Sequence, residues 1–187
     1  GIVAIVLSIL LPVGLFMVEP NQARVLTLFG AYKGSERRAG LRWANPFLGK
    51  RAISLRVRNF ETDHLKVNDL DGNPIEIAAV VVWQVQDTYR ASFEVDHYEE
   101  YVVVQSEAAV RHLAGSYPYD TFEDHHEDTL TLRAGAEQVN EMLERELAER
   151  FIRAGIKVVE ARLSHLAYAA EIAEAMLRRQ QAVAVVA

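Results

Sequence analysis

The first 18 residues carry no charged side chain and a single hydroxyl group, and this run constrains the fold more than any other feature. An α-helix of this length rises about 27 Å, close to the roughly 30 Å hydrocarbon core of a bilayer. Pro12 and Gly14 would weaken a helix in water, but membrane helices tolerate both residue types. The run therefore predicts that residues 1–18 form a transmembrane anchor.

A secretory signal peptide or a buried core helix would also be rich in apolar residues, but neither fits this run. A signal peptide ends in a small-x-small cleavage site, and residues 16–20 (Phe-Met-Val-Glu-Pro) contain none. A core helix would show a polar stripe, which this run lacks. Because the chain starts with Gly1 rather than Met, we expect a fragment of a longer membrane protein.

The net charge of −6 conceals a strong asymmetry along the chain. Residues 19–60, here called the basic neck, hold nine basic and two acidic residues, whereas residues 61–187 hold 11 basic and 24 acidic residues. The positive-inside rule then favours a body on the cytoplasmic side, and basic side chains near a bilayer attract anionic headgroups. The residues predicted to contact headgroups are Arg24, Lys33, Arg37, Arg38, Arg42, Trp43 and Phe47. The alternatives are a solvated strand face for the basic residues and core packing for the aromatic ones.

Strand patterns dominate the chain as far as residue 86. Strands are predicted at 23–29, 53–58 and 64–67, with a loop-rich stretch at 30–47 and a hairpin turn at 68–74, where Asp71-Gly72 suits positive φ angles. The strongest strand is 75–86, with Ile75, Ile77, Ala79, Val81, Trp83 and Val85 on one face. Its second face is also apolar in the middle, which predicts a central strand.

Helical patterns follow. Apolar residues recur at helical spacing from Tyr98 to Gly115 and from Leu132 to Phe151, with Gly155 closing the second helix. A last strand is predicted at 156–163. An alanine-rich helix runs from Ala169 without a stop signal, which is typical of a coiled coil or stalk.

The chain offers little that supports catalysis or cofactor binding. It has no cysteine, which excludes disulfides, thiol catalysis and Cys-ligated metals. Ser106 and His112 lie six residues apart on one predicted helix and point to different faces, so they cannot form a nucleophile–base pair. The acidic loop with His125 and His126 could hold a divalent ion, but a solvated loop is the simpler interpretation, and His64, His97, His112 and His165 are scattered. We therefore expect no catalytic, cofactor or metal residues.

Nine segments, in this order, resemble the SPFH family of stomatin, prohibitin, flotillin and HflK/C proteins. They are VEPNQARVL (18–26), FG (29–30), GLRWANPF (40–47), VNDLDGNPI (67–75), VVWQV (81–85), QSEAAVR (105–111), GIKV (155–158), LAYA (166–169) and MLRRQQ (176–181). The chain is most similar to the bacterial stomatin-like, or band-7, group that carries an amino-terminal anchor.

The resemblance implies an α+β SPFH domain with a mixed or antiparallel sheet and packed helices, preceded by a transmembrane helix and followed by the start of a coiled coil. The regions expected are a transmembrane anchor at 1–18, a sheet-rich membrane-proximal lobe at 19–86, a helix-rich lobe at 87–168 and an oligomerising helix at 169–187. The residues expected to mediate oligomerisation are Glu171, Ile172, Glu174, Met176, Arg178, Arg179 and Val183.

The resemblance further implies a non-enzymatic membrane scaffold that forms a ring or cage, organises membrane microdomains and modulates membrane proteins. The partners expected are further copies of the chain, lipids, and a membrane protease or an NfeD-like membrane protein. Nucleic acid is not expected, because the isoelectric point near 5.5 and the adjoining anchor make lipid the better polyanion. The rival hypotheses are a membrane-tethered hydrolase using Ser106 or the His125–His126 loop, and a small adaptor whose acidic body binds one basic partner.

Overall fold

The computed structural model of this 187-residue chain describes residues 12–120 and 130–186, with side chains described as far as residue 178. These residues form an α+β fold, as predicted. The strands are β1 (Leu15–Val18), β2 (Gln22–Leu28), β3 (Ala31–Glu36), β4 (Gly40–Trp43), β5 (Gly49–Ser54), β6 (Arg58–Glu61), β7 (Leu65–Asn68), β8 (Pro74–Val85) and β9 (Ile156–Tyr168). The helices are α1 (Thr88–Phe93), α2 (Tyr98–Ser116), α3 (Ala136–Phe151), which a 3₁₀ turn (Ile152–Ala154) follows, and α4 (Ala170–Val186).

The described chain divides into two compact units. The first comprises residues 12–57, 84–98 and 153–157, and the second comprises residues 58–83, 99–120, 130–152 and 158–186. The segments of the two units alternate along the chain.

The first unit contains a three-stranded sheet in the order β3-β2-β5 and a two-stranded ribbon of β1 and β4, all paired antiparallel. Helix α1 begins where the Asp87 carboxylate accepts hydrogen bonds from the backbone N–H groups of Tyr89 and Arg90 at 2.9 and 3.2 Å. Such a cap satisfies donors that a helix leaves open at its start. The rings of Tyr89 and Phe93 lie 4.9 and 5.8 Å from the ring of Tyr32, so the helix packs on β3 through aromatic contacts.

The second unit is organised around β8. Its partners are β6 along residues 80–83, β7 along residues 74–77, and β9. The six residues predicted to share the inner face are all buried, with 5 % or less of their surface exposed. The alternating pattern therefore identified both the strand and its central position correctly, because a strand covered on one face must alternate with period two.

The turn between β7 and β8 is held by one buried carboxylate. Asp69 accepts hydrogen bonds from the backbone N–H groups of Asp71, Asn73 and Tyr119 at 3.0, 2.7 and 3.0 Å. Gly72 has a φ of +84°, as the hairpin signal predicted. Asp69 thus joins the hairpin to the segment that follows α2.

Helices α2 and α3 supply the rest of the core of this unit. The fully buried side chains of α3 recur at positions 139, 143, 147 and 151, a spacing of four that places them on one face. The Asn140 and Glu144 side chains of α3 accept hydrogen bonds from the backbone N–H groups of Leu163 and Ala161 at 3.0 and 3.1 Å. These two bonds tie α3 to β9.

The predicted anchor helix is wrong over its last four residues. Residues 15–18 form β1, which pairs with β4, because backbone hydrogen bonds to 40–43 replace those of a helix. Residues 1–11 lie outside the described residues. Within the described parts of the chain, no helix combines the length and the apolar character needed to cross a bilayer.

Three further boundaries differ from prediction. The stretch predicted as loop contains β3 and β4. The strand predicted at 53–58 ends at Ser54 in the structure, because the Leu55 N–H donates a hydrogen bond to the Asn21 carbonyl oxygen at 2.9 Å. Val57, which the prediction placed in the strand, is exposed. Helix α3 begins at Ala136 rather than Leu132, because the Leu132 N–H bonds the Pro118 carbonyl oxygen at 2.9 Å outside any helix.

Candidate membrane-facing surface

One face of the β1–β4 ribbon is apolar and exposed. Leu15 lies opposite Trp43 and Met17 lies opposite Leu41, and residues directly opposite in an antiparallel pair share a face. All four side chains are between 46 and 67 % exposed. We call these four residues the apolar ribbon face. An exposed cluster of this kind commonly marks a protein or membrane contact site.

The other face of the ribbon points inward. Val18 is buried, and Phe16 is half-buried opposite Arg42. The ribbon is therefore two-sided, with one apolar face packed and the other presented outward.

Gly14 fixes the position of Trp43 on this surface. A Cβ at Gly14 would lie 2.3 Å from the indole Nε1 of Trp43 and 2.6 Å from the backbone oxygen of Ala44, both closer than real atoms approach. The Gly14 carbonyl oxygen also accepts a hydrogen bond from the Ala44 N–H at 3.0 Å. Only glycine leaves room for the indole beside this backbone.

Two cations from the neighbouring sheet hold the ribbon and the residues before it. Arg24 Nε donates to the Met17 carbonyl oxygen at 3.2 Å. Lys50 Nζ donates to the Val13 carbonyl oxygen at 3.3 Å and lies 5.5 Å from the centre of the Phe16 ring. Two cations of the basic neck thus contact β1 and the residue pair that precedes it.

The remaining predicted headgroup residues have varied surroundings. Lys33 is exposed, and Arg37 Nη2 donates to the Gln86 carbonyl oxygen at 2.7 Å. Arg38 pairs with Glu36 at 3.2 Å, and its guanidinium holds the pKa of that carboxyl below the usual value. Arg42 is half-buried, with its Nε 3.4 Å from the Arg38 carbonyl oxygen.

Phe47, the second predicted aromatic contact, is 66 % exposed. It follows a turn in which its N–H donates to Asn45 Oδ1 at 3.0 Å.

Sequence reasoning missed several residues of this surface. Leu15 and Met17 fall in the predicted anchor helix, and neither Leu41 nor Lys50 is among the residues predicted to contact headgroups. The alternation of Gly40, Leu41, Arg42 and Trp43 was the signal that could have identified β4 as a two-sided strand.

The predicted oligomerisation residues all fall in α4. Ile172 and Met176 are half-buried and one helical turn apart, and Glu174 pairs with Arg178 four residues further along the helix. The side chains of Arg179 and Val183 lie outside the described residues. No coiled coil is seen in the part of the chain that the structure describes.

Glu171, also in that set, contacts β7 instead of a residue of its own helix. Its carboxylate pairs with Lys66 Nζ at 2.7 Å. This contact raises the pKa of the Lys66 ammonium group and lowers that of the Glu171 carboxyl.

The residues of the hydrolase hypothesis are not brought together. Ser106 is fully buried, and its hydroxyl donates to the Val102 carbonyl oxygen at 2.7 Å. His112 is exposed, with Nδ1 3.1 Å from Glu146 Oε2 at the edge of a shallow open depression. A nucleophile needs access to substrate and a base within reach, and Ser106 has neither here. The His125–His126 loop lies outside the described residues.

Two histidines that looked scattered in the sequence do meet. The ligand atoms of His64, Glu76 and His165 all lie within 4.8 Å of one another. They are the described residues that could hold a metal.

A model of the SPFH domain / Band 7 family matches residues 16–185. No curated protein sequence matches the chain significantly.

Proposed function

The chain belongs to the SPFH domain / Band 7 family, and from this premise we propose that it is a non-enzymatic membrane scaffold that self-associates into a ring or cage. Proteins of this family are generally membrane-associated scaffolds. The finer assignment to the stomatin-like group is part of the proposal and rests on the sequence resemblance.

The observation that carries the proposal is the apolar ribbon face. Moving a half-exposed Leu, Met or Trp side chain out of water is worth about 1 kcal/mol. Four such residues together give roughly 4 kcal/mol, and each adjoining Lys or Arg adds about 1 kcal/mol at an anionic surface. An anionic bilayer provides both contributions, because its acyl chains can surround the apolar side chains and its headgroups attract the cations.

The position of this face along the chain supports lipid rather than another protein as its occupant. It directly follows the uncharged start of the chain, where we propose that the protein attaches to the membrane. Trp43 has an indole that suits the headgroup boundary, where amphipathic rings are favoured. The basic neck then favours a body on the cytoplasmic side.

Anchoring also makes self-association effective. Confinement to a membrane raises the effective concentration of the chains, so weak lateral contacts add up. We propose that the body and α4 provide these contacts, and that the assembly organises membrane microdomains. A membrane protease or an NfeD-like membrane protein is the proposed regulated partner.

The experiment uses the two tryptophans of the chain. Trp43 is 55 % exposed on the apolar ribbon face, whereas Trp83 is buried in β8. The full chain with Trp83→Phe, which leaves Trp43 as the sole tryptophan, is reconstituted into vesicles of phosphatidylcholine and phosphatidylglycerol with brominated acyl chains. We expect the brominated lipid to quench Trp43 emission strongly.

The matched control is Trp43→Phe, which leaves only Trp83. Its emission should be unaffected by the brominated lipid, because Trp83 lies in the core. Equal and weak quenching of both variants in vesicles that retain the protein would show that the ribbon does not enter the bilayer. Circular dichroism of both variants verifies that the fold is kept.

A further inference from the structure

Three segments of the second unit place potential metal ligands on one face of its sheet. His64 directly precedes β7, Glu76 lies on β8 and His165 lies on β9. Glu76 is half-buried between the buried residues Ile75 and Ile77, so its side chain points away from the core side of β8. The three ligand atoms lie within 4.8 Å of one another.

The two imidazole rings stack. Their centres are 4.5 Å apart, and their planes differ by 13°. A ring nitrogen of each imidazole can donate a lone pair to a metal ion, so the stack brings two candidate ligand atoms together.

The local charge suits a cation. Lys66 Nζ lies 2.7 Å from Glu171 and 3.8 Å from Glu76. Its closer ion pair is therefore with Glu171, and its interaction with Glu76 is weaker. One ammonium group faces two carboxylates, which leaves a net charge of −1 on these three groups beside the two imidazole rings. A divalent ion is therefore attracted to this site.

We propose that His64, Glu76 and His165 bind a divalent transition-metal ion of the Zn²⁺ type. Two imidazole nitrogens and one carboxylate oxygen form a ligand set that zinc accepts, with a fourth position open to water. The site is distinct from the apolar ribbon face, and it does not depend on the scaffold proposal.

Binding requires a small local rearrangement. Zinc–ligand bonds of about 2.0–2.2 Å place tetrahedral ligand atoms about 3.4 Å apart, which is closer than the 4.8 Å limit found here. A ring nitrogen binds metal in the plane of its ring, so the stacked rings must turn towards the ion. Because His64 is exposed, its ring can turn with little cost.

The ion would link β7, β8 and β9 at the end of the sheet that leads into α4. Because β9 ends at Tyr168 and α4 begins at Ala170, His165 lies a few residues before the oligomerising helix. A ligand that binds only the folded state stabilises it in proportion to the logarithm of its concentration over Kd. The bound ion should therefore raise the melting temperature of the chain.

The test is titration of the full chain with ZnCl₂, followed by competition with a chromophoric chelator and by thermal unfolding. We expect one strong site per chain and a rise in melting temperature. His64→Ala and His165→Ala should each weaken zinc binding at least about tenfold. Removing a residue that only hydrogen-bonds to a metal ligand already lowers metal affinity by about that factor, and these variants remove a ligand itself. Lys66→Met should strengthen binding, because it removes the cation nearest to Glu76.

Two controls use histidines outside the proposed site. His97→Ala removes an exposed histidine of the first unit, and the double variant His125→Ala, His126→Ala removes the histidines of the acidic segment that the sequence predicts as a loop. Neither should change zinc affinity. Unchanged affinity in His64→Ala and His165→Ala, or loss of binding in the loop variant alone, would overturn the proposal.

Discussion

Single residues set the backbone path where the chain turns between elements. Gly155 has a φ of +65°, and its carbonyl oxygen accepts hydrogen bonds from the N–H groups of both Gln86 and Asp87 at 2.9 Å. A Cβ at this position would lie 2.5 Å from the Asp87 carbonyl oxygen and 2.8 Å from its Cβ. Gly155, which the sequence predicts only as the end of a helix, therefore also holds the start of α1.

Gly155→Ala should destabilise the protein by about 2–4 kcal/mol, since it combines a left-handed backbone with overpacking. Gly115→Ala is the matched control. No atom of the described residues outside the helix lies within 4 Å of its new Cβ, so it should be neutral or stabilise by up to about 1 kcal/mol. Urea unfolding followed by circular dichroism measures both, and similar midpoints would contradict the role given to Gly155.

At the scale of elements, the β1–β4 ribbon depends on contacts with neighbouring residues for its stability. Each strand has four residues, and a two-stranded sheet of this size is marginally stable alone. Its support comes from outside the ribbon, through the hydrogen bonds of Arg24 and Lys50 and the contact between Gly14 and Trp43. Its exposed side chains are therefore presented by a small element on a larger sheet.

Gly14→Ala should displace the Trp43 indole, because the new methyl group has no space beside the ring and the Ala44 carbonyl. In the Trp83→Phe background we expect a clear change in the emission maximum of Trp43 and weaker quenching by brominated lipid. Gly115→Ala in the same background should leave both signals unchanged. Identical spectra for the two variants would contradict the packing described for Gly14.

At the scale of the whole molecule, α4 is the element for which we propose a role in assembly. Leu177 is 54 % exposed, whereas Ile172 and Met176 are half-buried. Ala175 is also exposed and lies two residues from Leu177, about 200° around the helix. These two positions allow the same charge to be placed on opposite sides of α4.

The detergent-solubilised full chain should run as a particle of many subunits. Leu177→Glu should reduce the particle size, because a buried carboxylate at a helix interface is costly. Ala175→Glu should keep the size of the unaltered protein. Light scattering after size-exclusion chromatography measures all three, and a monomer of the unaltered protein at micromolar concentration would refute the scaffold proposal.

The elements that could be predicted are those whose signal is local. β8 was recognised because its inner residues alternate strictly, and the turn after β7 because Asp71-Gly72 favours positive φ. β1 could not be recognised, because residues 15–18 are all apolar and have no period that separates a strand from a helix. Its partner β4 lies more than 20 residues further along the chain, and only their pairing shows which side chains remain exposed.

By itself, the sequence determined the family, the α+β class, the charge asymmetry and most of the central elements, because these depend on composition, periodicity and order along the chain. Only the tertiary structure decided which residues share a surface. It places Leu15 opposite Trp43, and it stacks the ring of His64 on that of His165, which lies about one hundred residues further along the chain. The physical reason is that both groupings arise from strand pairing, and pairing between distant segments leaves no periodic trace in either one.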